Sequence, residues 1–276
     1  MDGIRSLMAF DRSVRIGGAT SVTELGAGVV IRNPALPALH HLNALLLDAP
    51  LASELCDPQA LVALADEQLA GLGHRHVVFD DADAAERLAP ALAIGGWSQQ
   101  RVSLMLRVRG PDRVLRPSPA RRLSAEEAHD LQVRITSEEA PGHGAAPDAV
   151  AQALVRQLVS GQERLRAGTR SEVFGAALPG GPLASTCTLF AGEGIAMIEE
   201  VGTLQRFRER GLARAVILAA VDEALRLGCE RIFVPADADD WPQLLYVKLG
   251  FEPVARQVSF TLRKAPAAAA RGPAAH

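Results

Sequence analysis

The chain has 276 residues, 48% of them apolar, 22% charged and 4% aromatic, with 29 Lys and Arg against 32 Asp and Glu for a net charge of −3. This excludes a collagen-like, a fully disordered or a disulfide-framework protein, and the near-neutral balance offers no field to attract a polyanion, so nucleic acid is not an expected partner. The length allows one large domain or two small ones, either of which can bury a core unaided.

Residues 1–13 carry Asp2, Arg5, Asp11 and Arg12 and no apolar core, so no signal peptide is expected. In the first half the periodicity predicts a strand at 41–47, a helix at 58–72, a strand at 76–79, a helix at 82–92 and a strand at 102–108. Three prolines and a glycine between Gly110 and Pro119 then interrupt the pattern and place a boundary near residue 116. Beyond it, Ser124 and Glu127 form a capping box that opens a helix, and a second helix is expected at 147–159. A hairpin follows, with strands at 172–178 and 183–190 about the turn Pro179-Gly-Gly-Pro182, and then a strand at 194–203. A helix from about Glu209 to Leu227 stops at Gly228; a strand at 231–234, a helix through 241–248 and a strand at 257–262 complete the set. The Ala/Pro/Gly stretch 265–276 reads as a disordered tail.

The two halves repeat one another. Gly73-His-Arg-His-Val-Val-Phe, Gly96-Trp97 and the Val-Ser of 102–103 match Gly228-Cys-Glu-Arg-Ile-Phe-Val, Gly250-Phe251 and the Val-Ser of 258–259, with offsets near 155. The fold expected is α/β (α+β): a mixed, mostly antiparallel sheet flanked by helices, in two related halves, 1–116 and 117–264.

Cys56, Cys187 and Cys229 are an odd number without a C-x-x-C pair, which suits buried, reduced thiols in a cytoplasmic protein. The pairs His40-His41 and His74-x-His76 have no Cys or carboxylate at ligand spacing, so no metal is expected. The longest apolar run, Ala215 to Val221, is far short of the roughly 20 residues of a membrane span, so no membrane partner is expected.

The stretch from Glu199 to Arg214 carries the chemistry. A strand ends near Thr203, a turn follows, and a helix begins in Arg208-Glu209-Arg210-Gly211-Leu212-Ala213-Arg214. Free N–H groups and the positive end of the helix dipole would converge there on an anion, with Arg208, Arg210 and Arg214 beside it. Arg-x-x-Gly-x-Ala after a strand ending Val201-Gly202-Thr203, followed by Leu245-Tyr-Val-Lys-Leu-Gly-Phe251, resembles the GNAT superfamily of acyl-CoA-dependent N-acetyltransferases, over about residues 120–264.

The resemblance implies transfer of acetyl from acetyl-CoA, as co-substrate, to the amine of a small molecule or peptide by direct attack. It implies that the backbone of Val201 and Thr203 pairs with the pantetheine amides and that the main chain from Arg208 to Arg214 holds the pyrophosphate. Tyr246 falls where the family often has a general acid for the leaving thiolate. Glu199 and Glu200 are the candidate bases; strand alternation admits one to the cleft and favours Glu199, and a bulge between them would reverse that choice. His143 lies where the family shapes its acceptor pocket and is not assigned a role. The first half has neither the glycine loop nor a tyrosine before Gly96, so it resembles a degenerate copy in a tandem protein. The alternative reading is a non-catalytic acyl-CoA-binding or regulatory module; the acceptor, the donor's chain length and the oligomeric state are left open.

Overall fold

A computed structural model describes residues 2–114, 118–139, 149–238 and 242–264. The boundary at 116, His143, Trp241 and the stretch 265–276 lie outside the described residues. The chain enters through α1 (Asp2–Gly17), whose Leu7, Phe10 and Val14 share one buried side at helical spacing. The charges of this segment hide that stripe in the sequence, because Asp11, only 2% exposed, occupies one of its inward positions.

The first half continues with β1 (Ser21–Leu25), β2 (Gly28–Arg32), β3 (Ala44–Leu47), α2 (Pro58–Gln68), β4 (His74–Phe79), α3 (Ala82–Ile94) and β5 (Ser98–Arg107). The strand expected from 41 begins only at Ala44, because His40–Leu42 is a 3-10 turn held by the Asn43 amide, which donates to the carbonyls of Leu36 and Leu39. The helix expected to reach 72 stops at Gln68, and the carbonyls of Leu69 and Leu72 instead accept from the Arg75 guanidinium.

The second half comprises β6 (Ala120–Arg122), α4 (Ala125–Glu139), α5 (Ala149–Gly168), β7 (Ser171–Ala177), β8 (Leu183–Gly192), β9 (Ile195–Thr203), α6 (Leu212–Arg226), β10 (Arg231–Asp237), α7 (Pro242–Lys248) and β11 (Phe251–Arg263). The capping box forms as the sequence predicts: Ser124 N–H donates to Glu127 Oε2 at 3.0 Å and Glu127 N–H to Ser124 Oγ at 3.2 Å.

All eleven strands form one sheet in the order β1-β2-β3-β4-β11-β5-β10-β9-β8-β7-β6, antiparallel except for the pairs β3–β4 and β9–β10. The repeat is visible in this order. Each half supplies a parallel pair joined through a helix, and then gives its last strand to the other half: β11 pairs with β4, and β5 with β10. The two exchanged strands meet at the centre, where Val102 faces Gln257 and Arg101 faces Val258, so the equivalent steps of the repeat lie across from one another. The halves are therefore joined through the middle of a continuous sheet.

Helices α1, α4 and α5 cover one face of the sheet and α2, α3, α6 and α7 the other. On the first face Leu7, Phe10 and Val14 of α1 and Leu165 of α5 pack on Phe190, Met197 and Phe233. On the second, Leu61, Leu88 and Trp97 pack on Phe79 and Phe260 in the first half, and Val216, Ile217 and Val221 on Ile198 and Val234 in the other.

Helix α1 lies against α5 where Gly17 and Gly168 touch: a Cβ on Gly168 would stand 2.0 Å from the Gly17 carbonyl oxygen. Gly168→Ala is expected to destabilise the fold by about 2–3 kcal/mol, a fall of roughly 5–10 °C in Tm. A thermal melt checks this; an unchanged Tm would mean that the two helices do not pack this closely in solution.

Candidate functional site

The parallel pair β9–β10 is joined only over Ile195–Met197 and Arg231–Phe233. Beyond Met197 and Phe233 the strands part. β9 continues along β8, with Glu199 facing Thr188 and Thr203 facing Ser185, while β10 continues along β5 as far as Asp237 facing Val102. The side of β9 turned toward β10 from Glu199 to Thr203 therefore has no strand partner among the described residues. Backbone groups in such a position require hydrogen bonds from elsewhere, as in the addition of an extended ligand to a sheet edge. Val201, Gly202 and Thr203 line this edge, and Ser185 Oγ holds its far end, 2.9 Å from the Gly202 carbonyl oxygen and 2.8 Å from Thr203 Oγ1.

The edge leads into the loop before α6. Residues Gln205–Phe207 make a 3-10 turn, and the backbone is left-handed at Glu209 (φ 62°) and at Gly211 (φ 80°). These two conformations end any helix there, so α6 begins at Leu212 and not at Glu209 as the periodicity suggests. Alternation of left-handed with ordinary backbone turns successive N–H groups to one side as an anion-binding concavity. No side chain among the described residues caps Gly211, and the first N–H to bond back is that of Ala215, 3.1 Å from the Gly211 carbonyl, which leaves the main-chain donors of Leu212, Ala213 and Arg214 without a partner among the described residues.

The arginines divide. Arg206, Arg208 and Arg210 are exposed at the loop, with Arg206 and Arg210 over the Phe207 ring at 4.9 and 6.0 Å. Arg208 pairs with Glu139 at 3.2 Å and donates from Nε to the Thr203 carbonyl. Arg214 departs from expectation: its guanidinium is 4% exposed and turned inward onto Asp112, so it contributes its N–H to the loop and not its charge.

Glu199 and Glu200 stand at the point where the strands part. Glu200 is left-handed (φ 56°), and the register of β8 against β9 shifts between Thr186 and Thr188. This bulge corrects the alternation argument: both carboxylates lie on the face covered by α1, α4 and α5, so Glu199 does not share a side with Val201, which packs in the α6 cluster. Burial raises the Glu199 pKa to about 7, assisted by Asp11 and Glu200 and opposed by Arg15. Glu200 Oε2 accepts from Thr188 Oγ1 at 2.5 Å, Gln132 Nε2 at 3.2 Å and Arg166 Nη1 at 3.3 Å. Burial raises its pKa too, while these bonds pull it down.

Thr188, Gln132, Arg166, Asp11 and Arg15 are thus part of the site, and the sequence reading does not contain them. Their signal is a polar residue inside an apolar helical stripe, as with Gln132 among Ala128, Leu131 and Ile135. Asp11 accepts from Arg15 at 3.0 Å and from Gln257 at 3.4 Å, which seats α1 over β9 and β11.

On the opposite face Tyr246, 6% exposed, packs edge-on to Phe251 with ring centroids 6.4 Å apart. α7, which carries it, lies against β10 and β11 on the far side of the opening. Of the cysteines, Cys187 and Cys229 are buried, but Cys56 is exposed, contrary to expectation. His40, His74 and His76 come together, the His40 ring 6.2 and 4.7 Å from the other two; burial lowers the His40 pKa to about 4 and that of adjacent His41 to about 3. Among the described residues, no group of three or more His, Cys, Asp or Glu is placed to hold a metal, and no helix is long and apolar enough to cross a membrane.

The equivalent place in the first half is closed. β3 ends at Leu47 with its partner Phe79, and Arg12 bridges the gap to Asp48 at 2.7 Å, Asp80 at 3.3 Å and the Leu46 carbonyl at 3.0 Å. The start of α2 is capped by Asp57, whose carboxylate accepts from Gln59 and Ala60 N–H, so a negative group already occupies the positive helix end. The groove between α2 and α3 is apolar, about 360 Å³, and lined by Val62, Leu92 and Trp97 among others. Leu92 holds there the place of Tyr246.

Residues 147–251 match the family model of the acetyltransferase (GNAT) family. No curated protein matches the chain. A conserved protein of Staphylococcus epidermidis ATCC 12228, described as functionally unknown, shares 12% identity at a TM-score of 0.63, over 90% of this chain and 95% of its own. A GCN5-related N-acetyltransferase from Kribbella flavida shares 18% identity at a TM-score of 0.53, over 90% and 95%. A tandem GNAT protein from the clavulanic acid biosynthesis pathway shares 14% identity at a TM-score of 0.55, over 93% and 89%. At these identities the likeness is one of fold. The parted parallel strands, the left-handed loop before α6, the doubled half-sheet and the family match together show that this chain has the fold of the GNAT superfamily, in a tandem arrangement.

Proposed function

We propose that the second half transfers an acetyl group from acetyl-CoA to a primary amine, and that residues 1–116 are a copy without a cofactor loop that supports it. The observation that carries this reading is the unpartnered edge of β9 running into the left-handed loop before α6, with two half-buried glutamates where the strands part. The residues present suit the co-substrate. The edge at Val201–Thr203 offers amide partners to an extended pantetheine arm, and the N–H groups from Glu209 to Arg214, with Arg208 and Arg210 beside them, suit a pyrophosphate. Acetyl-CoA supplies the activated acetyl thioester.

Glu199, with its pKa near neutrality, is placed to take the proton of the acceptor ammonium. The freed nitrogen then attacks the thioester carbonyl carbon; a C–N bond forms, the C–S bond breaks, Tyr246 protonates the departing sulfur, and the second proton that the nitrogen sheds as the amide forms passes through water to restore the tyrosine hydroxyl. The first half serves by holding α1 beneath β9, where Asp11 and Arg15 set the field at Glu199.

Calorimetric titration with acetyl-CoA, together with thiol release across an amine panel, tests the reading. No binding of acetyl-CoA would end it. Binding without acceptor-dependent release from any amine would favour a binding module. Tyr246→Phe is expected to lower turnover about 10-fold or more while the acetyl-CoA Kd stays within about 2-fold; unchanged turnover would remove Tyr246 from the reaction.

A further inference from the structure

Behind Glu199 lies a set of acceptors without donors. Glu200 uses only Oε2 for its three bonds, while Oε1 is buried and accepts none among the described residues. The Gln132 amide gives its nitrogen to Glu200, so its buried Oε1 is likewise without a partner; the residue is 2% exposed. Buried acceptors in native proteins are almost always satisfied, and leaving one bare is costly. Two of them, on Glu200 and on the Gln132 that bonds to it, call for a ligand that brings donors. A bulge that holds Glu200 in a left-handed conformation also indicates a position kept at some expense.

We infer that Glu200 and Gln132 form the seat of the acceptor's ammonium, and that this seat selects an unsubstituted primary amine by its N–H donors and not by charge alone. The inference rests on the acetyltransferase reading and divides the work at the site. Glu200, tied down by Thr188 and Arg166, anchors the cation, and Glu199 receives its proton. An ammonium of the type R–NH3+ can give one donor to Glu200 Oε1 and one to Gln132 Oε1 and keep the third for Glu199, whereas a quaternary ammonium of the same charge brings none.

The experiment titrates the CoA-bound protein with propylammonium chloride and, separately, with propyltrimethylammonium chloride, after recording acetyl-CoA binding on the same preparation. Propylammonium is expected to bind at least 10-fold more tightly than the quaternary ion. Gln132→Leu is expected to weaken propylammonium at least 10-fold with the acetyl-CoA Kd unchanged. Gln132→Glu, which keeps an acceptor oxygen in place, is expected to bind it at least as well as the native protein does; a merely structural role for Gln132 would make the two variants behave alike. Equal affinity for the two ions, no binding of propylammonium, or indifference to Gln132→Leu would each overturn the inference. If acetyl-CoA binds in those cases the cofactor reading survives, and if it does not, that reading fails on its own.

Discussion

Gly211→Glu is expected to weaken acetyl-CoA binding about 100-fold, a loss of ~2.7 kcal/mol. Two effects combine. Gly211 sits at φ 80° immediately before α6, where an L side chain costs of the order of 1–2 kcal/mol to accommodate. A carboxylate there also brings negative charge to the N–H groups proposed to meet the pyrophosphate, as Asp57 does at the start of α2 in the first half. Calorimetry on the native protein and the variant decides the matter. Equal affinity in both would show that this loop does not hold the nucleotide, whatever else the protein binds. Arg214→Ala provides a contrast: its guanidinium faces Asp112, so the variant is expected to lose stability more than acetyl-CoA affinity.

Glu199→Gln is expected to lower kcat by about 10²–10⁴-fold, the usual worth of a positioned base. In the native protein kcat/KM should rise with pH through about 7, the value to which burial lifts Glu199, because only the ionised carboxylate takes a proton. The variant should lose that limb of the profile. Stability should change in the opposite sense. A carboxyl whose folded pKa is raised stabilises the fold below its unfolded pKa, and that contribution is lost as pH rises through about 7. The variant should therefore be at least as stable as the native protein at pH 8, with no such advantage at pH 4. A pH–rate profile and melts at the two pH values test both statements; full activity in the variant would leave Glu199 without the role of base.

Local signals served the sequence reading where local physics decides. The Ser124–Glu127 box, the turn after β7 and the stop at Gly228 depend on a few neighbouring residues, and they stand in the structure where the pattern puts them. The match of Gly73 to Gly228 and of Trp97 to Phe251 pointed to two related halves, and the eleven-stranded sheet has them. Helix α1 and strands β1, β2 and β6 leave no legible pattern: the inward Asp11 breaks the apolar stripe of α1, and that buried acid is tolerated only since Arg15 and Gln257, far apart in sequence, converge on it. Periodicity also starts α6 three residues early, because it does not register a left-handed residue such as Glu209.

What the sequence by itself determined is the repeat and most of the elements from β3 to β11, since these rest on spacing and on the conformational preferences of single residues. The tertiary structure decided the rest. It exchanged β5 and β11 between the halves, parted β9 from β10, turned Arg214 inward, and through the bulge at Glu200 set both glutamates on one side under α1, α4 and α5. The reason is physical: a strand's partner, a side chain's burial and a bulge's register follow from contacts between residues distant in the chain, and alternation along one strand holds no record of them.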